Sequence, residues 1–482
     1  MKKSVITTVF LLSTIIITFF YGCKDRNCNE VTDSDFLTSV CPTPPMGWNS
    51  YDCYDWRVSE REFKANVDFM EKHLLKYGWE YAVVDYLWHI EDTLAQYEID
   101  DLENRPIRHR TLKYSNSGKL LDPIAIDEFG RVLPDPNRFT SSKNGKGFKP
   151  LADYVHSKGM KFGIHIMRGI PRKAVFEKMK IKGTNYTAAD IAELKDTSIW
   201  ENSMFGVDHT KPGAQEYYNS LIELYASWGV DLIKADEIMY PIFHKAEIEM
   251  IHKAIVKCGR PIVLSLSLGE PQMFQAKFLQ ENANMWRISG DFWDEWDQLH
   301  KAFVLTDKWS FFSKDGTFPD ADMIPFGHLS LGDKPVGKSR ISKFTWPEHY
   351  TLMTLWSMAR SPLFIGSNLP TSPDSTIAFF QNEEVIYVNQ HSQNGHQIYR
   401  GWTDNTIIWI ADDSNSEDRF FALFNIGEKE QDITFDFELE YLRDKYKIRN
   451  LWQKKDLGVF KGDFKAKLPP HGAGLYRMSK VK

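Results

Sequence analysis

Short apolar runs recur along this chain, separated by amphipathic stretches with helical spacing. The runs are PMGWNSY (45–51), WEYAVVDYLW (79–88), GMKFGIHIM (159–167), GVDLIKADE (229–237), RPIVLSLSL (260–268), ANMWRISGD (283–291), ADMIPFG (321–327) and SPLFIGSN (361–368). EREFKANVDFMEKHLLKYG, GAQEYYNSLIELYASW and AEIEMIHKAIVKCG are among the helical patterns that precede them. Strands that are apolar on both faces, alternating with helices, demand a parallel sheet covered by helices. Eight such units predict an α/β fold of the (β/α)8 barrel type. A doubly wound open sheet is the alternative, but no glycine-rich nucleotide turn follows the first strand.

The pattern changes near residue 390, where NTIIWIADD, RFFALFNIG, QDITFDFEL and KYKIRNLWQ follow one another with turn residues between them. Short strands with little helix predict a C-terminal antiparallel β-sandwich domain. The barrel is expected over 43–390 and the β domain over 391–482.

The first residues carry a different signal. Lys2 and Lys3 precede an apolar run from Val5 to Phe20, and Gly22–Cys23 follows. This reads as a secretory signal peptide over 1–22. The small residue before Cys23 favours a bacterial lipoprotein type, although Phe20 and Tyr21 are bulky for that motif. Cys23 would then carry a lipid anchor, with 23–42 as a polar tether, in the periplasm or at the outer membrane or cell surface. Of the five cysteines, the four beyond Cys23 are scattered without zinc-site spacing. Cys28 and Cys41 are left open as a disulfide pair.

With 59 Lys and Arg against 65 Asp and Glu, the net charge is −6 and no basic block exists, which argues against nucleic acid as a partner. Aromatic residues reach 14%, including 15 Trp. Such a surplus suits stacking on sugar rings, and it suits a large core equally.

In LIKADE, Lys234 and Asp236 lie two apart and share one strand face, while Ile233 and Ala235 take the other. The outer face of a barrel packs on helices, so the charged face points inward, at the end where barrel active sites form. An ion pair that only fixes the barrel would look the same. A second carboxylate, Asp291, follows Arg287 in MWRISGD, with Asp294 as its nearest rival. Asp85 ends the second strand, and Asp320 and Asp322 flank the seventh. Acids thus gather at one end of the barrel. Glycoside hydrolysis needs two carboxylates around an oxocarbenium-like centre. Neither a catalytic triad nor a phosphate loop competes, and no metal or other cofactor is expected.

PPMGWNSYDCY, YAVVDYLW, GMKFGIHIM, WGVDLIKADE, NMWRISGD, PDADM and LWSMARSPLFIGSNL occur in the order in which they stand in glycoside hydrolase family 27, and the chain resembles that family from about residue 43 to 390. The family holds α-galactosidases and α-N-acetylgalactosaminidases. The resemblance implies a retaining exo-hydrolase releasing terminal α-linked galactose. It implies Asp236 as nucleophile and Asp291 as acid/base, with Lys234 and Arg287 holding hydroxyls and tuning the carboxylates. It also implies that Asp85 binds a hydroxyl and that an aromatic of the first block, Tyr51 rather than Trp48, packs on the sugar.

Departures from the family pattern bear on the sugar. Tyr86 stands where the family's second aspartate of D-D-x-W is found, and SLSLGEP, with Glu270, replaces the usual fifth-strand loop. His165 and Arg168 in GIHIMRG are candidates to replace lost contacts. The alternatives are α-N-acetylgalactosamine, β-L-arabinopyranose or an isomaltose unit as substrate, or a glycan-binding lipoprotein without catalysis. The oligomeric state is not legible.

Overall fold

The computed structural model describes residues 33–91, 124–199, 203–331, 338–401 and 403–481. The expected signal peptide, Cys23, Cys28 and most of the long insertion after the second strand lie outside them. Among the described residues no helix is long and apolar enough to cross a membrane.

Eight parallel strands form one sheet: β1 (Met46–Asn49), β2 (Tyr81–Val84), β3 (Lys161–Met167), β4 (Leu232–Asp236), β5 (Val263–Leu266), β6 (Met285–Arg287), β7 (Phe318–Asp320) and β8 (Leu363–Ile365). Their order is β7-β6-β5-β4-β3-β2-β1-β8. A parallel bridge between Ile324 and Ile365 ties the stretch after β7 to β8, with Ile324 N donating to Phe364 O at 2.7 Å. That contact closes the ring.

The seventh strand is displaced from its expected place at 321–327. It ends at Asp320 because Asp322 adopts φ +86, which extended backbone cannot continue through. An unexpected three-stranded antiparallel sheet, Ile170–Pro171, Ala192–Thr197 and Met204–Val207, is inserted after β3.

Strand parity sorts the core into two shells. Val83, Leu232, Val263, Met285, Phe318 and Phe364 pack together inside the ring. Their neighbours Ala82, Val84, Ile233, Leu264, Trp286 and Ile365 join the larger core under the helices. One inward step toward the strand ends brings Asn49, Lys234, Ser265, Arg287 and Asp320 around a small cavity, so the polar layer sits on an apolar floor. At Gly47 a side chain is impossible without displacement, since a Cβ would lie 2.2 Å from Tyr81 O on β2.

Local signals set the covering helices. α1 (Glu60–His73) begins at a capping box in which Ser59 and Glu62 satisfy each other's backbone N–H groups. It buries Phe63, Asn66, Val67 and Met70, an i, i+3, i+4, i+7 stripe. α2 (Ala214–Trp228), α3 (Lys245–Cys258), α4 (Trp296–Ser310) and α5 (Trp346–Met358) also cover the sheet. α5 opens on a second capping box, Thr345 with Glu348.

The last part of the stretch expected as a tether, from Asp33, is folded onto the barrel instead. Asp33–Val40 forms a helix, Leu37 is buried, and Asn284 Nδ2 donates to Leu37 O at 3.0 Å. Phe36 and Leu37 give this stretch an apolar face that a free tether would leave in water. Cys41, Cys53 and Cys258 are free thiols, and burial pushes that of Cys41 up to about 12.

The antiparallel strands run from Ser392 to Lys480. β9 (Ser392–Arg400), β10 (Thr406–Asp413) and β11 (Arg419–Asn425) pair in sequence, and the last strand, Ala473–Lys480, pairs with β11. β10 is buried on both faces: Ile407, Trp409 and Ala411 join the barrel's core, while Ile408 and Ile410 join the sandwich core.

Candidate active site

β4 delivers Asp236 to the open end of the barrel, and both its carboxylate oxygens are held. Glu237 N donates to Oδ1 at 2.8 Å, and His165 Nε2 lies 3.2 Å from Oδ2. The register places Met167 of β3 opposite Asp236 and His165 opposite Lys234, which brings the imidazole to the carboxylate. Burial pushes the Asp236 pKa up. The hydrogen bond and charge of His165, the Lys234 ammonium and the Glu237 N–H outweigh it and hold Asp236 below the ordinary carboxylate range.

Lys234 does not contact Asp236 directly. Its Nζ donates to Asp85 Oδ2 at 2.8 Å, and Asn49 Nδ2 reaches the same oxygen at 2.7 Å. Tyr86 N caps Asp85 Oδ1 at 2.8 Å. Burial raises the Asp85 pKa, but Lys234 and His165 drive it well below its usual range. Asp85 is therefore a buried carboxylate whose partners fix its orientation. Asn49 escaped the sequence reasoning, although its parity with Gly47 on β1 was the available signal.

Arg287, at the end of β6, is 2% exposed and binds Asp322 Oδ2 at 2.6 Å, Gly290 O at 2.6 Å and Asp291 Oδ1 at 3.4 Å. Asp291 itself is half exposed. One guanidinium thus links the outer carboxylate to the buried acids. Asp322 is pushed up to about 6, first by burial and then by Asp291 and Asp320, against the pull of Arg287. Asp322 also accepts Phe292 N at 2.8 Å, which anchors the loop that carries Asp291. Asp294 is not a rival: it is buried, where Arg340 and Lys343 N bind it.

Tyr51 opens the turn of helix after β1, its N–H held by Asn49 Oδ1 at 2.9 Å. Its ring stands 6.1 Å from Tyr86, 6.4 Å from Trp293 and 5.9 Å from Lys234 Nζ. Tyr86 in turn packs edge-on to His165 at 5.3 Å. An aromatic wall therefore stands beside the polar layer, and Trp293 is the member that sequence reasoning missed.

Two candidates fall elsewhere. Arg168 is not a sugar contact in this geometry. Its guanidinium binds Asp196 at 2.6 and 2.9 Å and Glu247 at 3.1 Å, and its Nε donates to Glu237 O at 2.9 Å. It braces the backbone just beyond Asp236. Asp196, His244 and Glu247 offer potential metal-ligand atoms within 4.8 Å of one another, but the Arg168 guanidinium already pairs with both acids. Glu270 lies in the wall of a cavity beside Asp291.

A (β/α)8 barrel with a partly buried carboxylate, held below its ordinary range, on β4, a half-exposed carboxylate on the β6 loop and an aromatic wall defines a glycosidase-type centre. Comparison with known proteins agrees. Residues 195–391 match the alpha galactosidase A family model (Melibiase_2), and residues 403–478 match the alpha galactosidase C-terminal beta sandwich domain. The chain is 26% identical to Alpha-galactosidase A of Cellvibrio japonicus, covering 91% of this chain and 93% of that one. It is 24% identical to Alpha-galactosidase 2 of Arabidopsis thaliana, covering 91% and 90%. The crystal structure of a GH27 β-L-arabinopyranosidase from Geobacillus stearothermophilus superposes with TM-score 0.84 at 43% identity, covering 92% of this chain and 98% of that one. The chain belongs to glycoside hydrolase family 27 and is a glycosidase.

Proposed function

We propose that this enzyme is a retaining exo-hydrolase that removes terminal α-linked galactose from oligo- or polysaccharides. The observation that carries this reading is the state of Asp236, partly buried yet held below the ordinary carboxylate range, with each oxygen fixed by a donor. A nucleophile in double displacement needs that state before substrate arrives. Asp236 attacks the anomeric carbon while Asp291 protonates the departing oxygen. A covalent glycosyl-enzyme forms, and Asp291, now a base, activates the water that releases the sugar. Lys234, Asp85 and Arg287 supply polar contacts to hydroxyls, and Tyr51 offers the sugar's apolar face a ring.

A second sugar, β-L-arabinopyranose, is favoured by one observation. Tyr86 is a bulky, 5% exposed side chain where the family places an aspartate, in contact with Tyr51 and His165. β-L-Arabinopyranose shares galactose's ring stereochemistry and lacks C6, so it asks for less room and one acceptor fewer. The 43%-identical Geobacillus enzyme carries that activity in its name.

The test is a panel of para-nitrophenyl α-galactoside, β-L-arabinopyranoside and α-N-acetylgalactosaminide, with wild type and Asp236→Asn. Turnover of at least one substrate, lost by on the order of a thousandfold or more in Asp236→Asn, is expected. Full activity in Asp236→Asn overturns the assignment. The ratio between the first two substrates decides the sugar. We also propose export and lipid anchoring at Cys23, supported by Lys2, Lys3, the apolar run and Gly22–Cys23. Palmitate labelling that persists in Cys23→Ala would refute the anchor.

A further inference from the structure

Beside Asp291 lies a cavity of about 460 Å³ that the proposed chemistry does not use. One wall is a single face of α4, with Gln298, Lys301, Ala302, Leu305 and Thr306 at i, i+3, i+4, i+7 and i+8. The opposite wall is the loop that carries Asp291, through Ile288 and Phe292. The lining is predominantly apolar, and Val304 at its edge is 54% exposed. Ser289 Oγ, in the same wall, is buried and has no hydrogen-bond partner among the described residues. Glu270 adds a carboxylate.

We propose that this cavity receives the leaving group, and that the leaving group is an apolar alcohol, alkyl or fused-ring, rather than a second sugar. The inference rests on Asp291 being the acid of the reaction proposed above. In that step the Asp291 carboxyl gives its proton to the glycosidic oxygen as the bond to the anomeric carbon breaks, so the departing alcohol must lie against Asp291. The space on that side is walled by Ile288, Phe292, Ala302 and Leu305, which offer methyl and ring carbons. A sugar there would strip its hydroxyls of water with few polar partners in return, whereas an apolar body gains by leaving water. Glu270 and Lys301 could meet hydroxyls at one end of that body, while most of the lining surface it would face is apolar.

The experiment compares methyl and octyl glycosides, of α-galactose and of β-L-arabinopyranose, whose leaving alcohols have near-equal acidity. Wild type is expected to show kcat/KM about tenfold or more higher for octyl than for methyl on whichever sugar it accepts. Val304→Asp and Leu305→Asp should bring that ratio close to one. Because the ratio is taken within each variant, loss of folded protein cancels. A wild-type ratio near one, or a ratio unmoved by both substitutions, overturns the proposal and leaves the sugar assignment intact. A galactosyl disaccharide preferred over the octyl glycoside overturns it too. If neither sugar is turned over, saturation-transfer NMR with 1-octanol still reads the cavity. Transfer in wild type that both variants lose upholds the apolar site while the sugar reading fails, and absence of transfer overturns the site as well.

Discussion

His165 and Lys234 divide between them what one cation might have done alone. Lys234 pairs with Asp85, and His165 stands on Asp236. Removing the imidazole in His165→Phe leaves Asp236 with burial, which raises its pKa, and with weaker opposition. Attack requires the ionised carboxylate, so the acid limb of kcat/KM against pH should move to higher pH. An unmoved limb would show that His165 only fills space. Lys234→Met strands the Asp85 carboxylate in the core. The cost should be about 3–5 kcal/mol at neutral pH, read by chemical denaturation. Asp85 is depressed in the folded state, so its stabilisation is complete above the unfolded carboxylate value of about 4 and fades as acid protonates it. The gap between wild type and variant should therefore narrow below that pH. The sequence showed which strand face Lys234 and Asp236 share, because parity is local. It could not show that Lys234 turns to Asp85 across the intervening β3, since that contact depends on the registers of β2, β3 and β4.

Among the elements, the apolar runs announced eight strands, and seven stand where periodicity put them. The seventh moved because its run, ADMIPFG, describes burial rather than extension: Ala321 to Phe326 are buried after the strand has ended. The small sheet after β3 was illegible for the converse reason. Its strand Ala192–Thr197 is largely exposed and carries no apolar run. Close approach, too, is a property of pairs of elements. β1 and β2 meet at Gly47, where an added methyl would press on the Tyr81 carbonyl. Gly47→Ala should separate them and move Asn49 away from Asp85. Both stability and activity should fall, by several kcal/mol in denaturation and by a raised KM. An alanine variant with wild-type stability would contradict this packing.

The whole molecule, from Asp33 onward, is one compact unit. α5 has ten buried residues among its thirteen and little apolar asymmetry, because it is packed on several sides, including against the last strand. His471, from the turn before that strand, stacks on Trp296 at 3.6 Å and bonds Glu348 at 2.8 Å. Truncation after residue 391 should therefore yield an aggregating barrel, and the full chain should melt in one transition by fluorescence and by circular dichroism alike. Two separate transitions would refute this. β10 sharpens the point. Its even and odd residues belong to two different cores. One residue inserted into TIIWIADD would exchange those allegiances along the rest of the strand, sending barrel-facing side chains into the sandwich and the reverse. The C-terminal domain is thus not a module to be traded between enzymes. It is bound to this catalytic barrel by the alternation of β10 and of β11, whose Phe420, Ala422 and Phe424 face the barrel's core and whose Phe421 and Leu423 face the sandwich.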